Sequence, residues 1–178
     1  MSATNDLRIR EATVEDLPAC ARLGARLARL HHGFDPRRFF VVPGMEKGYA
    51  WWLGKERKNR KAVVLAAVRT GRGGVESVVG YAYGRIEPRD WNSLREECGV
   101  GIDLMVEPRA RRAGVGTALV EALAAVLAAR GAPRVVIQVA SENPEAQAVF
   151  ARLGFRPTMV EMTRELGRPA RRAKRRAR

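Results

Sequence analysis

The chain has 178 residues, of which 46% are hydrophobic and 29% are charged, a composition typical of one soluble globular domain with its own core. Its 33 Lys and Arg residues outnumber 19 Asp and Glu residues, and the net charge of +14 suits phosphorylated ligands or nucleic acid without choosing between them. No apolar stretch approaches the ~20 residues of a membrane helix, the N-terminus lacks the features of a secretory signal, and the two cysteines and two histidines form no zinc pattern. We therefore expect a cytoplasmic protein with no membrane segment and no metal.

The basic residues are concentrated at the end of the chain. Residues 167–178 contain seven Lys or Arg residues and no acid, which is typical of a disordered, solvated tail. One domain is expected over residues 7–166, after a short extension of residues 1–6. The tail allows weak contact with a polyanion, although no aromatic side chain within it offers stacking on single-stranded bases.

The first half of the domain predicts both strands and helices. Residues 7–10 alternate like a short strand, and Thr13, with an acid three residues later, predicts the cap of a first helix. Residues 31–54 combine glycines, prolines and aromatics, which favours a second helical region broken by loops. Residues 62–69 and 76–86 are apolar, β-branched runs on either side of a glycine-rich turn, and they predict a β-hairpin.

The second half predicts alternating strands and helices after a polar loop. Asn143 and Pro144 are suitable as the cap and first residue of a helix, and apolar residues at helical spacing follow them. Strands are expected over residues 100–106, 134–140 and 159–166, and a helix over residues 116–130. The whole pattern predicts a mixed α/β (α+β) domain.

A tight basic loop joins the strand at residues 100–106 to the helix that follows it. Gly114 and Gly116 remove side chains where the first N–H groups of that helix lack partners, and such a junction attracts phosphate. No P-loop string occurs, and Leu119 stands where a dinucleotide fingerprint needs its third glycine. The pattern [QR]-x-x-G-x-[GA] remains, and it is satisfied by Arg111, Gly114 and Gly116.

This segment resembles the coenzyme A-binding motif of the GNAT superfamily of N-acetyltransferases. A second motif follows at the right distance, because the stretch from Asn143 through Phe150 to Gly154-Phe155 is similar to the family's N-x-x-A-x-x-[LV]-[YF]-x-x-x-G-F. The resemblance covers residues 7–166. It implies a central, mostly antiparallel twisted sheet with helices on both faces, in which the fourth and fifth strands splay apart.

The resemblance implies transfer of an acetyl group from acetyl-coenzyme A to a primary amine by direct attack, and it adds a homodimer as an expectation. The pantetheine arm is expected between the splayed strands, and the pyrophosphate is expected on the basic loop. The implied cofactor-binding residues are Leu104, Met105, Val106, Arg111, Arg112, Ala113, Gly114, Val115, Gly116, Thr117, Asn143 and Phe150. Asn143 has an equally sufficient role as a helix cap.

The reacting amine, whose pKa is about 10.4, must lose a proton before it attacks, and a carboxylate is the usual acceptor. Asp103 is the first candidate because it lies next to the implied thioester position. The other candidates are Glu87 and, before the fourth strand, Glu97 or its neighbour Glu96. For each of them, a solvated edge charge or an ion pair with arginine is the competing interpretation.

Phe150 departs from the family, which often places a tyrosine there to protonate the departing thiolate. A phenyl ring has no proton to donate, so Tyr81, Tyr83 or solvent would have to supply it. This departure keeps open a catalytically weak acyl-CoA-binding protein. The basic tail keeps open a nucleic-acid- or ribosome-associated binding module.

Aromatic side chains lie in the segments implied to form the acceptor site. They either line a pocket for an apolar or cationic acceptor or fill the core. These residues are His31, His32, Phe34, Trp51, Trp52 and Trp91. The identity of the acceptor stays open among a protein N-terminus, a lysine, a polyamine, an amino acid and an antibiotic.

Overall fold

The computed structural model describes residues 7–166, apart from the side chain of Arg72. Its sheet holds five strands in chain order; the first four pair antiparallel, and the fifth runs parallel to the fourth. The strands are β1 (Leu7–Glu11), β2 (Ala62–Thr70), β3 (Glu76–Glu87), β4 (Cys98–Val106) and β5 (Val135–Ile137). This confirms the predicted mixed α/β fold with a mostly antiparallel sheet. The predicted extension and basic tail lie outside the described residues.

Helices cover both faces of the sheet, as the resemblance implied. The helices of the described chain are α1 (Leu17–Phe34), α2 (Met45–Glu56), α3 (Val115–Ala129) and α4 (Pro144–Arg152). The first two pack on one face around Leu23, Leu53 and Tyr81, whereas α3 packs on the other through Leu119 and Leu123. Strand β2 is buried on both faces, which explains its uninterrupted apolar run.

The first helix begins later than the sequence predicted. Thr13 does not cap it, because the carboxylate of Asp16 accepts hydrogen bonds from the Thr13 N–H at 2.7 Å and from the Thr13 hydroxyl at 3.1 Å. Asp16 also accepts a bond from Arg10 Nη2 at 3.2 Å. These contacts hold a turn, and α1 starts after it at Leu17 with Pro18 in the first turn, where proline costs no helical hydrogen bond.

Residues 159–166 do not form the predicted last strand. This segment is irregular and exposed, although it contains the apolar residues Met159, Val160, Met162 and Leu166. Arg38 forms an ion pair with Glu161, and Arg37 Nε lies 3.4 Å from Glu165 Oε1. The segment is therefore held beside the connection between α1 and α2 rather than paired along the sheet. Its apolar content suggested a strand, but a strand also requires a neighbouring ladder.

Strand β4 contains a β-bulge at Ile102. Tyr83 pairs with Asp103, but the next residue on β3, Gly84, pairs with Gly101, so Ile102 is one residue too many on its strand. A bulge of this kind interrupts the alternation of side chains and increases the local bend and twist.

The bulge exchanges the faces of the sheet along β4. Before it, the odd-numbered positions face α3: an ideal Cβ on Gly99 would lie 3.0 Å from Leu127 Cδ1, and one on Gly101 would lie 3.4 Å from Leu123 Cδ2. After it, odd-numbered Met105 belongs to the cluster on the side of α1 and α2. The bulge thus aims the side chain of Asp103 toward the helices α1 and α2.

Strands β4 and β5 splay as the resemblance implied. They pair only from Gly99–Val135 to Gly101–Ile137, so β5 is much shorter than the predicted strand at residues 134–140. Beyond the bulge, β4 continues to Val106 without a strand partner on that side among the described residues. Within the same part of the chain, no helix has the length and apolar character needed to cross a membrane.

Candidate active site

A narrow cleft of about 70 Å³ opens where β4 and β5 separate. Its walls are mainly apolar and come from both strands and from helices α1, α3 and α4; they include Ile102, Leu104, Leu123, Val139 and Phe150. Because β4 has no neighbour here, its main chain offers N–H and C=O groups to an extended ligand. The cleft can therefore accept a thin chain that carries amide groups.

The loop before α3 forms an anion cradle, which we define as residues 111–117. Arg112 and Gly114 have left-handed φ angles of 60° and 75°, and turns of this type gather backbone N–H groups into a concave surface. Across the described residues, none of the N–H groups from Arg112 to Thr117 donates a hydrogen bond. They lie at the positive end of α3, so the cradle is suited to a phosphate or pyrophosphate.

Arginines surround this cradle. Arg109, Arg111 and Arg112 are exposed on it. The Arg111 Nε donates a hydrogen bond to the carbonyl of Val106 at 3.3 Å, which holds the guanidinium at the end of β4. A Cβ on Gly114 would meet open space, whereas an ideal Cβ on Gly116 would lie 3.8 Å from Val106 Cγ2.

A larger cavity of about 490 Å³ lies between α1, α2, the connection joining them and β4. One face of α2 supplies Met45, Gly48, Tyr49 and Trp52, which follow the i, i+3, i+4, i+7 spacing of a helix. The other aromatic groups of the lining are His31, Phe39 and Phe40. The charged residues of the lining are Asp103 and Arg38, so the cavity is largely apolar.

The cleft and the cavity meet at one place. Leu27, His31, Ile102 and Asp103 contribute to the walls of both. A ligand in the cleft and another in the cavity would therefore approach each other beside the carboxylate of Asp103.

The carboxyl group of Asp103 is partly buried at this junction. Burial raises its pKa to about 6, although a hydrogen bond from the Tyr81 hydroxyl to Oδ2, 2.7 Å long, acts in the opposite direction. Within the described residues Asp103 has no basic partner. Its carboxylate, ionised above about pH 6, can therefore attract an ammonium group and accept its proton.

His31 is the second titratable group at the junction. Its ring stacks on Phe39 with centroids 5.0 Å apart, and burial lowers its pKa, which favours the neutral imidazole. The sequence suggested His31 only as one of several pocket aromatics.

The other carboxylates predicted as bases lie elsewhere. Glu87 forms an ion pair with Arg95 and stands opposite Cys98 on β4. That position is five residues, or about 16 Å, from Asp103 along the strand. Glu97 and the acid before it are exposed beside it. Neither Glu87 nor either of these two exposed acids lines the cleft or the cavity.

The two tyrosines considered as proton donors both bind carboxylates. Tyr81 donates to Asp103 and Tyr83 donates to Glu56. Burial is the main cause of the raised pKa of each phenol. Neither tyrosine lines the cleft or the cavity. The Tyr81 hydroxyl reaches the junction only from behind, through its bond to Asp103, and Tyr83 is held away from it by Glu56.

Asn143 and Phe150 both lie in the wall of the cleft. The Asn143 Oδ1 also accepts a hydrogen bond from the Ala146 N–H at 3.2 Å, so the capping role expected for this residue is present. Phe150 is buried and packs against Phe155 with ring centroids 5.7 Å apart. Its ring shapes the cleft but has no proton to give.

The predicted pocket aromatics divide into two groups. His31 and Trp52 line the cavity, whereas Trp51 and Trp91 are exposed beneath the cationic groups of Lys55 and Arg89. His32 and Phe34 lie outside the lining. Sequence reasoning missed Arg38, Phe39, Phe40, Met45 and Tyr49. The helical spacing of Met45, Tyr49 and Trp52 could have revealed part of this set.

The sequence model of the Acetyltransferase (GNAT) family matches residues 26–155 of the chain. The chain belongs to the GNAT acetyltransferase family. A curated relative, the mycothiol acetyltransferase of Nocardioides sp., is 35% identical over 99 residues, which are 52% of this chain and 32% of that protein. The match thus spans about a third of the relative's length.

Solved structures share the fold of this GNAT acetyltransferase. A tetramutant of a Bacillus halodurans protein has a TM-score of 0.74 at 23% identity, covering 89% of this chain and 99% of that one. An aminoglycoside N-acetyltransferase in complex with CoA has a TM-score of 0.69 at 18% identity over 93% of this chain and 98% of that one. A Clostridium acetobutylicum protein described as a predicted acetyltransferase, with acetyl-CoA, has a TM-score of 0.65 at 14% identity over 89% and 96% of the two chains.

Proposed function

We propose that this GNAT acetyltransferase moves the acetyl group of acetyl-coenzyme A to a primary amine by direct attack in a ternary complex. The meeting of the cleft and the cavity at Asp103 is the observation that carries the proposal. An acyl group at the inner end of the cleft and an amine in the cavity would contact each other only at this junction.

The residues around the cleft fit coenzyme A. The unpaired N–H groups of the anion cradle would bind the pyrophosphate, and Arg111 would add positive charge. Main-chain groups of Leu104, Met105 and Val106 on the side of β4 that has no strand neighbour would pair with the pantetheine amides, while Phe150 would form an apolar wall. When bound, acetyl-coenzyme A supplies an acetyl thioester.

Asp103 would hold the acceptor and receive its proton. Its ionised carboxylate binds the ammonium form, and proton transfer to the carboxylate leaves the neutral amine. The amine nitrogen then forms a bond to the acetyl carbon while the carbon–sulfur bond breaks, with the electron pair leaving on sulfur. The nitrogen loses its second proton to the thiolate, directly or through solvent, which gives the neutral amide and free thiol. A thiol has a pKa near 8.5, so the thiolate is an adequate leaving group without the tyrosine that Phe150 replaces.

Calorimetric titration with acetyl-coenzyme A tests the cofactor part of this proposal. Gly114→Glu places a carboxylate in the anion cradle, and we expect it to weaken binding by at least about tenfold. Gly73→Glu is the matched control, because Gly73 also has a left-handed φ, of 81°, and faces open space, but lies in the connection between β2 and β3. Equal binding by both variants, or no binding by the unmodified protein, would contradict the proposal.

Release of coenzyme A in the presence of amines tests the transfer itself. We expect stoichiometric formation of free thiol and acetylated amine. A protein that binds acetyl-coenzyme A tightly but releases no thiol with any amine would instead be a non-catalytic acyl-CoA-binding protein. The cytoplasmic location, the homodimer and the polyanion contact of the tail remain predictions from the sequence.

A further inference from the structure

We propose that the acceptor is a small monoamine with an aromatic or otherwise apolar body. This inference rests on the proposed function, since it treats the cavity of about 490 Å³ as the acceptor site. It goes beyond that function by naming the substrate class from the charges and surfaces of the cavity wall.

The cavity wall matches a single positive charge. Asp103 is its one carboxylate among the described residues, and the Tyr81 hydroxyl occupies only Oδ2, so Oδ1 is available to an ammonium group. A second ammonium group on the same ligand would have no acidic partner in the lining, and Glu161 beside Arg38 is already paired with that arginine. Desolvating such a charge without a partner is costly. Polyamines and aminoglycosides therefore fit the cavity poorly.

The rest of the wall matches an apolar body. Trp52 and Tyr49 are fixed edge to face with centroids 5.8 Å apart, and Trp52 is held from behind by Tyr83 at 4.7 Å. Phe40 and Val42 line the same cavity and are 77% and 52% exposed. Aromatic surfaces prefer edge-to-face or offset contacts with other rings. A ligand ring placed between these walls would cover apolar surface that the protein leaves in water.

A peptide N-terminus fits the same wall less well. Each buried peptide group needs hydrogen-bond partners, but side-chain donors and acceptors other than Asp103 are few in this lining. They are His31, Arg38, Tyr49 and the indole of Trp52, and Arg38 is already paired with Glu161. A monoamine with one polar group leaves nothing unpaired once its ammonium reaches Asp103.

Rates of coenzyme A release with a panel of amines test this substrate class. The panel consists of 2-phenylethylamine, ethylamine, spermidine, kanamycin and a phenylalanyl-glycine amide. Burial of a phenyl ring predicts that kcat/KM for phenylethylamine exceeds that for ethylamine by about 10- to 100-fold. Spermidine, kanamycin and the dipeptide should react less efficiently than phenylethylamine. A higher kcat/KM for any of these three would overturn the inference.

Two valine substitutions test whether the preference for phenylethylamine over ethylamine arises at the cavity wall. Val42→Ser makes the cavity wall polar and should reduce the phenylethylamine-to-ethylamine ratio by about threefold. Val75→Ser is the matched control, since Val75 is 70% exposed in the connection between β2 and β3, and it should leave the ratio unchanged. A ratio that responds equally to both changes, or to neither, would contradict the placement of the ring.

Binding of phenylethylamine to the protein without cofactor separates this inference from the proposed function. Saturation-transfer NMR should detect the amine on the unmodified protein and a weaker signal on Phe40→Ala. Amine binding without acetyl-coenzyme A binding would end the acetyl-transfer proposal and keep the cavity assignment. Acetyl transfer to spermidine or the dipeptide without phenylethylamine binding would keep the acetyl-transfer proposal and end the assignment of the cavity to an aromatic monoamine.

Discussion

Replacing Asp103 with asparagine removes the negative charge at the junction and keeps its shape. The amide oxygen can still accept the hydrogen bond that the Tyr81 hydroxyl donates to Oδ2 at 2.7 Å. The change therefore tests charge and proton transfer rather than packing. It should alter stability and activity in opposite directions.

The expected stability change follows from the raised pKa of Asp103. Burial moves this pKa from 3.8 to about 6, so between these pH values the folded protein holds a proton that the unfolded chain has released. The contribution of the Asp103 proton to the free energy of unfolding is fully present below the pKa of Asp103 in the unfolded chain. It is lost as the pH rises through the pKa of Asp103 in the folded protein. The difference corresponds to about 3 kcal/mol above pH 6. Asp103→Asn does not bear this penalty.

Urea unfolding at two pH values measures this effect. We expect Asp103→Asn to be more stable than the unmodified protein by up to about 3 kcal/mol near pH 7.5, and to be similar to it near pH 4, where the carboxyl group is protonated in both states. An asparagine variant that is less stable at the higher pH would refute the reasoning about unpaired charge.

The activity of the same variant should fall by about 10²- to 10⁴-fold at neutral pH. The unmodified enzyme should lose kcat/KM below an apparent pKa near 6, as Asp103 becomes protonated. In Asp103→Asn this fall of kcat/KM near pH 6 should disappear, and kcat/KM should instead rise about tenfold per pH unit up to the pKa of the amine. If Glu87→Gln or Glu97→Gln removes the fall near pH 6 instead, Asp103 is not the base.

Three further predictions concern packing, thiol reactivity and cofactor charge. Gly24→Ala should lower the free energy of unfolding by about 1–3 kcal/mol, because the new Cβ would lie 2.5 Å from the Tyr49 ring. The control is Gly33→Ala, which lies on the same helix in open space; its free energy of unfolding should stay the same or rise by about 0.5 kcal/mol. Chemical denaturation of both variants measures the difference. Cys20, whose pKa burial raises to about 12, should resist a disulfide reagent at pH 8 until the protein is unfolded, and fast labelling of the native protein would contradict its burial. Arg111→Gln should raise the Kd for acetyl-coenzyme A by about tenfold at low salt and by less at high salt, and an unchanged Kd in calorimetry would remove Arg111 from the cradle.

Short sequence patterns predicted the strands and helices whose formation depends on neighbouring residues in the chain. The β-branched runs and the glycine-rich turn predicted β2 and β3, and the Asn143 cap predicted the start of α4. Thr13 misled because a buried carboxylate, Asp16, bound the groups that would have capped a helix. The segment at residues 159–166 misled because strand formation depends on a neighbouring ladder, which composition does not reveal.

The candidate site was predictable in part for the same reason. The cradle glycines lie within one short stretch, so their pattern is visible in the sequence. Asp103 was favoured over Glu87 and Glu97 only by its nearness to the implied thioester, whereas its burial and its bond to Tyr81 depend on three-dimensional packing. Arg38 and Phe40 reach the cavity through the fold of an irregular connection, for which no periodic pattern exists.

The bulge at Ile102 makes the junction depend on chain length as well as on residue type. Deleting Ile102 would restore regular pairing between β3 and β4 and would turn the side chains on one side of the deletion to the opposite face of the sheet. Where the residues after the deletion are the ones that turn, Asp103 would point toward α3 and away from the cavity, although the aspartate itself is unchanged. A single-codon deletion in β4 would therefore remove Asp103 from the junction without any substitution of the aspartate.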